Sequence, residues 1–154
     1  MFVCAIAGCA TSGDKSTIAN VFDPCSPLDV FTATPTSVQA DGIAAAIASW
    51  KADGASGLGV AAGASLEVRF QTAAPLFYGL YDDTAPLIYI NDDLTETSTL
   101  SAVVAHELGH AFGLHHVDPD QRPSVMNPGN LTVMPTAEDR ATLESLHGSC
   151  VAGS

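Results

Sequence analysis

Basic residues are few in this chain. Its 154 residues include 5 lysines and arginines against 17 aspartates and glutamates, a formal net charge of −12 at pH 7. Proteins that bind nucleic acid neutralise its phosphates with lysine and arginine, so this balance excludes nucleic acid as a partner. The same shortage argues against adsorption to anionic lipid. An acidic surface mainly favours solubility, and secondarily it attracts cationic substrates.

Long apolar runs are also lacking. No stretch reaches the roughly 18 apolar residues that a transmembrane helix needs. The hydrophobic content of 47% and the charged content of 14% are typical of a globular chain rather than a disordered one. The length suits one domain with one core, and we expect a monomer.

Cysteine is scarce, with only Cys4, Cys9, Cys25 and Cys150. None lies near the histidine-rich segment described next, which excludes a cysteine-rich zinc finger. Cys25 and Cys150 flank the presumed domain, residues 28–150. A disulfide between them would join the two ends of the domain, as suits a secreted protein, and Cys150 otherwise has no evident partner.

The segment from His106 to His116 reads His-Glu-Leu-Gly-His-Ala-Phe-Gly-Leu-His-His. On a helix, His106 and His110 lie one turn apart and point the same way, so both can bind one zinc ion at about 2.0–2.1 Å. Gly113 permits a turn with positive φ, after which His116 arrives as a third ligand. Three protein ligands with an open fourth position are typical of a catalytic zinc site.

Glu107 lies beside these histidines and is not itself needed as a ligand. Its predicted role is that of the general base, which takes a proton from the attacking water. The alternative is an ordinary amphipathic helix whose histidines form hydrogen bonds within the protein and bind no metal. The zinc site is favoured, because each further fixed residue in the pattern cuts chance matches about twentyfold. His115 is expected to be exposed or to lie behind the ligands. No serine or cysteine nucleophile motif is present.

A second motif, Ser124-Val125-Met126-Asn127-Pro128, follows the histidines. Together the two motifs resemble those of metzincins, zinc endopeptidases in which a Met-turn follows the zinc motif. Astacins and serralysins have a tyrosine two residues after the methionine, where this chain has Pro128. The segments Val104–Leu114 and Pro135–Gly148 are instead similar to matrixins and their small microbial relatives.

The resemblance implies a zinc-dependent endopeptidase acting on peptides or proteins, with Met126 as an apolar floor beneath the zinc. It also implies that Leu131, Val133 and Met134 line the pocket for the side chain after the cut bond. The alternative function is a catalytically weak, zinc-dependent protein-binding module of the same fold.

Two further features of matrixins have weaker counterparts here. Matrixins hold Ca²⁺ in loops comparable to the acidic turns at 82–83 and 91–93, but the spacing in this chain does not match a defined site. Solvated turn residues are the better interpretation. The surroundings of Cys25 resemble the matrixin propeptide motif without its arginine and glycine, so a zinc-blocking thiol is the alternative to the disulfide.

The order of elements predicts an α+β domain. Runs with strand character occur at 30–34, 58–60, 66–70, 76–81 and 87–91. Helices are predicted to begin at residues 35–37, at a cap within Thr97–Thr99 and at Thr136. We expect the metzincin (zincin-like) fold, with a twisted, mixed, five-stranded sheet packed on helices that include the zinc-binding one, and with a C-terminal helix. The strand at 76–81 would be its antiparallel edge, where a peptide can be added as a strand.

Residues 1–27 are interpreted as a signal-like or lipoprotein-like N-terminus followed by a linker. Met1 to Ala10 is apolar and rich in small residues, like the end of a secretory signal. Ile6-Ala7-Gly8-Cys9 is similar to a bacterial lipoprotein cleavage box, in which Cys9 would carry the lipid anchor. A positive n-region is lacking, so a complete signal would begin upstream. We expect a secreted or extracytoplasmic protein.

Overall fold

The computed structural model describes residues 17–150. Its elements are β1 (Leu28–Phe31), α1 (Ser37–Ala52), β2 (Ala64–Gln71), β3 (Gly79–Asp82), β4 (Leu87–Asn91), α2 (Thr97–Ala111) and α3 (Ala137–His147). The signal-like segment and Cys9 lie outside the described residues. No helix between residues 17 and 150 is long and apolar enough to cross a membrane.

The strands form one mixed sheet in the order β1-β2-β4-β3. β1, β2 and β4 run parallel, whereas β3 runs antiparallel to β4, with Gly79 opposite Ile90 and Asp82 opposite Leu87. The side of β3 that faces away from β4 therefore has no strand paired to it in the described part of the chain. The prediction of one antiparallel edge strand is confirmed.

The sheet of residues 17–150 has four strands, so the prediction of a fifth strand at 58–60 is wrong. Leu58 makes a single parallel bridge to Leu28. The next residue, Gly59, has a φ of +75°, which takes the backbone out of the extended conformation. A φ of +72° at Leu76 likewise delays the edge strand, which begins at Gly79.

Helix α2 packs against α1 and against the strands β3 and β4. It is buried without interruption from Leu100 to Gly109. The prediction of a hydroxyl cap within Thr97–Thr99 is wrong, because the N-cap is Glu96 and no side chain caps the first turn. Packing on two sides stabilises this helix, so it does not depend on a cap.

The two ends of the domain are tied to each other and to α2. Cys25 and Cys150 form a disulfide, the pairing favoured from the sequence. Nearby, the Phe22 N–H donates to the Ala111 carbonyl at the end of α2, at 2.8 Å. Cys25 is therefore not a free thiol in this structure.

Candidate metal centre

Three imidazoles converge at the end of α2. Nε2 of His116 lies 3.2 Å from Nε2 of His106 and 3.2 Å from Nε2 of His110. In a tetrahedral zinc site with Zn–N bonds of about 2.0 Å, the ligand nitrogens are about 3.3 Å apart. The spacing of these nitrogens fits one zinc ion.

Two backbone carbonyls determine the tautomers of the helical histidines. Nδ1 of His106 lies 2.7 Å from the Val125 oxygen, and Nδ1 of His110 lies 2.8 Å from the Leu114 oxygen. A carbonyl oxygen only accepts, so both Nδ1 atoms carry the hydrogen and both Nε2 atoms present a lone pair. The single hydrogen available to a neutral His116 cannot satisfy both lone pairs. A cation shared by the three rings can, so the donor set fits zinc.

Burial keeps these imidazoles neutral. It lowers the pKa of His106 to about 4 and that of His110 to about 3, with a further lowering from the neighbouring imidazoles. Burial first, and His115 second, also lower the pKa of His116. Neutral imidazole is the form that binds a metal, so all three rings are ready for a ligand role at neutral pH.

A tight turn at Gly113 brings the third histidine back to the first two. Gly113 has a φ of +87°, and the positive φ predicted there is confirmed. Its N–H donates to the His110 carbonyl and the Leu114 N–H donates to the Gly109 carbonyl, both at 2.9 Å. This is the Schellman pattern, in which glycine avoids the strain of a left-handed backbone.

Met126 is 1% exposed and packs against α2 at Gly109, between the two helical histidines. A Cβ at Gly109 would collide with the Met126 sulfur, so the glycine permits this close approach. The Met-turn therefore supports α2 at the level of the histidines. The role of Met126 as the floor of a zinc site stays a prediction.

Asp139, near the start of α3, holds the Met-turn. Its buried carboxylate accepts from Ser124 Oγ (2.5 Å), Val125 N (2.9 Å), Thr136 N (3.1 Å) and Arg122 Nη1 (2.8 Å). Burial alone would raise the pKa of Asp139, but these four donors outweigh it and the pKa is lowered. The capping box from Thr136 to Asp139 was the one local signal that pointed to this residue.

Two asparagines connect the loops around the histidines. Asn127 Nδ2 donates to the Val117 carbonyl at 2.9 Å, which joins the Met-turn to the loop that carries His116. Asn130 Nδ2 donates to the carbonyls of Val125 at 3.1 Å and Val133 at 2.6 Å. The loop after the Met-turn is thus bonded to the same carbonyl that orients His106.

Glu107 is a residue of α2, and its side chain reaches the edge strand β3. The residue is 6% exposed. Its Oε2 accepts from the N–H of Tyr81 in β3 at 2.8 Å. Burial raises the pKa of Glu107 to about 8, although the Tyr81 N–H acts in the opposite direction. A nearby dication would lower this pKa again, because opposite charge favours the carboxylate. Nothing local in the sequence marks Tyr81 as a partner of Glu107.

The histidine group and the Met-turn agree with the comparison with known families. A family model described as Matrixin matches residues 33–148. The chain belongs to the matrixin family. This confirms the resemblance to matrixin catalytic domains and supports a zinc-dependent metalloprotease with a histidine group able to bind the metal. No curated protein matches the chain.

In this matrixin, Leu131, Val133 and Met134 lie half-buried in the loop after the Met-turn. Leu131 and Met134 pack against the core, and Met134 Sδ lies 4.0 Å from Ser101 Oγ at the start of α2. The three predicted pocket residues are therefore in one loop. Their contact with a substrate stays a prediction.

Three other groups of polar residues that the sequence singled out have no evident part in the site. Asp82 Oδ1 accepts from the N–H and the hydroxyl of Thr84, at 3.0 and 2.7 Å, as a turn residue does. Within residues 17–150, the three histidines are the only group of three or more residues that could hold a metal, so no Ca²⁺ site can be assigned. His115 is exposed, as expected, and His147 Nε2 donates to the Phe112 carbonyl at 2.7 Å.

Proposed function

We propose that this chain is a zinc-dependent endopeptidase that hydrolyses peptide bonds in peptide or protein substrates. The observation that carries the proposal is the convergence of three imidazole Nε2 atoms next to a buried glutamate. Zinc held by His106, His110 and His116 would supply a Lewis acid that polarises the scissile carbonyl and lowers the pKa of water toward about 7.

Glu107 is the general base and then the general acid of the proposed reaction. Its carboxylate takes the proton from the water whose oxygen bonds to the scissile carbon. It then delivers that proton to the amine nitrogen as the carbon–nitrogen bond breaks. The Tyr81 N–H bonded to Oε2 restrains the carboxylate during both transfers, and Oε1 remains for the proton.

The substrate is proposed to bind along the free edge of β3 as an added strand, because an unpaired edge offers backbone donors and acceptors to an extended peptide. Leu131, Val133 and Met134 would line the pocket for the side chain after the cut bond. We expect the enzyme to work outside the cytoplasm, and the disulfide between Cys25 and Cys150 is compatible with that location.

The variant Glu107→Gln tests the proposal. It keeps the shape of the side chain and removes the base, so we expect unchanged zinc content and a loss of peptide hydrolysis of about 10²-fold or more. Glu138→Gln is the matched control, because Glu138 is an exposed carboxylate on α3 and should retain full turnover.

Two outcomes would contradict parts of the proposal. Near-normal hydrolysis by zinc-loaded Glu107→Gln would show that another group carries the proton. A wild-type protein that binds one zinc ion and cleaves no member of a mixed peptide library would instead favour the zinc-dependent binding module.

A further inference from the structure

We infer that Gly79 is a positioning residue for Glu107, because its missing side chain lets the edge strand hold the carboxylate. This inference rests on the proposed role of Glu107 as the base. Gly79 begins β3, and Glu107 lies on α2, 28 positions further along the chain.

The backbone groups of β3 alternate in direction along the strand. Asn91 N–H donates to the Tyr78 carbonyl at 3.0 Å, and Gly79 lies opposite Ile90. Hydrogen-bonded pairs alternate along an antiparallel ladder, so Gly79 and Tyr81 direct their N–H and C=O groups away from β4. The outward N–H of Tyr81 is the one bonded to Glu107. The proposed base is therefore bonded to the same free edge that would accept a substrate strand.

A side chain at position 79 would have too little space. A Cβ at this position would lie 2.9 Å from Glu107 Oε1, 3.0 Å from Glu107 Cγ and 2.9 Å from Val103 Cγ1. Two of these distances are shorter than real Cβ contacts allow, so the Glu107 carboxylate, the Val103 side chain or the strand has to move. A shift of the carboxylate or of the strand would change the hydrogen bond between Tyr81 N and Glu107 Oε2.

The position of the Glu107 carboxylate depends on both Tyr81 and Gly79. Oε2 is bonded to the Tyr81 N–H, and the absence of a Cβ at position 79 leaves room for Oε1, so the carboxylate keeps this position with Oε1 open for the proton. Proton transfer requires the base within hydrogen-bond reach of the water, and a displacement of about 1 Å can cost about 10²-fold in rate. Gly79 thus acts on the reaction through Glu107.

The variant Gly79→Ala tests this inference. We expect kcat to fall about 10-fold to 10²-fold, with KM and zinc affinity within about twofold of wild type. The matched control is Gly42→Ala, which also places a Cβ against a side chain of α2, Leu100, but two turns before Glu107. Gly42→Ala should lower stability without lowering kcat. An unchanged kcat in Gly79→Ala, or an equal loss in Gly42→Ala, would overturn the inference.

A double mutant separates this inference from the proposed function. In the Glu107→Gln background, Gly79→Ala should change the residual rate by less than about twofold, because residues that act as a unit are not additive. A further loss as large as in wild type would overturn the inference. If Glu107→Gln itself retained full activity, the proposed base would be wrong. If Glu107→Gln were inactive and Gly79→Ala fully active, only the positioning role would be wrong.

Amide hydrogen exchange of Tyr81 tests the same contact without turnover. The outward amide of an edge strand exchanges readily unless it has a partner, so its bond to Glu107 should protect it. We expect exchange at Tyr81 to become about tenfold faster in zinc-free Glu107→Ala, and likewise in Gly79→Ala if that variant folds. Unchanged exchange in Glu107→Ala would show that the contact does not exist in solution and would overturn the inference.

Discussion

Asp139 and His106 are connected through a single residue, Val125. The Val125 N–H donates to Asp139 Oδ2 at 2.9 Å, and the Val125 carbonyl accepts from His106 Nδ1 at 2.7 Å. A carboxylate on α3 therefore determines where the carbonyl that orients an imidazole on α2 lies. Such outer partners fix the ring orientation and the tautomer of metal-binding histidines.

Replacement of Asp139 by alanine should destabilise the fold by roughly 3–5 kcal/mol at pH 7, because it leaves buried donors and the Arg122 charge without an acceptor. Zinc affinity should fall by about 10-fold to 10²-fold. Urea denaturation and zinc titration measure the two effects. Asp41→Ala, at an exposed position on α1, is the control and should change neither quantity.

The contribution of Asp139 to the stability of the fold should also depend on pH. Its pKa is lowered from the ordinary value of 3.8, so the folded protein binds this proton less readily than the unfolded chain. The stabilisation is therefore fully present above about pH 4 and is lost as the pH falls through the folded-state pKa. The stability difference between wild type and Asp139→Ala should narrow below pH 4. A difference that stays constant down to pH 2 would contradict this assignment.

Removal of the metal should abolish peptide hydrolysis, and added zinc should restore it. The neighbouring histidines give a sharp comparison, because Nε2 of His116 lies 3.2 Å from those of His106 and His110, whereas His115 is not part of this histidine group. His116→Ala should lose the bound zinc and His115→Ala should keep it, as measured by metal analysis after gel filtration. Zinc loss in His115→Ala with retention in His116→Ala would reverse the assignment.

The disulfide between Cys25 and Cys150 should stabilise the domain by roughly 2–5 kcal/mol. Cys25→Ala, Cys150→Ala and the double variant should lose similar amounts, because each removes the same cross-link. Peptide mapping of exported protein without reductant should recover the linked pair. Two alkylatable thiols in that material would reject the bridge and favour the zinc-blocking role of Cys25.

Cleavage should favour an apolar residue on the carboxyl side of the cut. Burial of a leucine-sized side chain against Leu131, Val133 and Met134 is worth roughly 1.5–3 kcal/mol, enough for about a tenfold to hundredfold preference. Met134→Ala should weaken that preference. The acidic surface should add a bias toward cationic peptides that disappears at high salt. The cleavage profile of a mixed peptide library at two salt concentrations measures both effects, and a dominant acidic residue after the cut would exclude this pocket.

Interactions between residues close together in the chain were sufficient to predict several features of the fold and the site. The helical period places His106 and His110 on one face, and the glycine at position 113 allows the reversal after them, because both effects act within a few residues. The helix start predicted at residues 35–37 is confirmed, and the structure shows that the Thr36 hydroxyl caps α1 in a capping box with Gln39. Local signals were wrong elsewhere. The well-packed helix α2 begins without a hydroxyl cap, and β3 begins three residues after the start of its apolar run, beyond the positive φ of Leu76.

Only the tertiary structure decided which groups meet around the histidines. Tyr81 is 26 residues from Glu107 along the chain, and Asp139 is 14 residues from the Val125 amide that it binds. These contacts depend on how β3 lies on α2 and how α3 returns to the Met-turn. A hydrophobic pattern reports which face of an element is buried, but not which distant backbone group that face meets. The group of three histidines could therefore be predicted from the amino-acid sequence alone, whereas the residues that hold Glu107 and His106 in position could not.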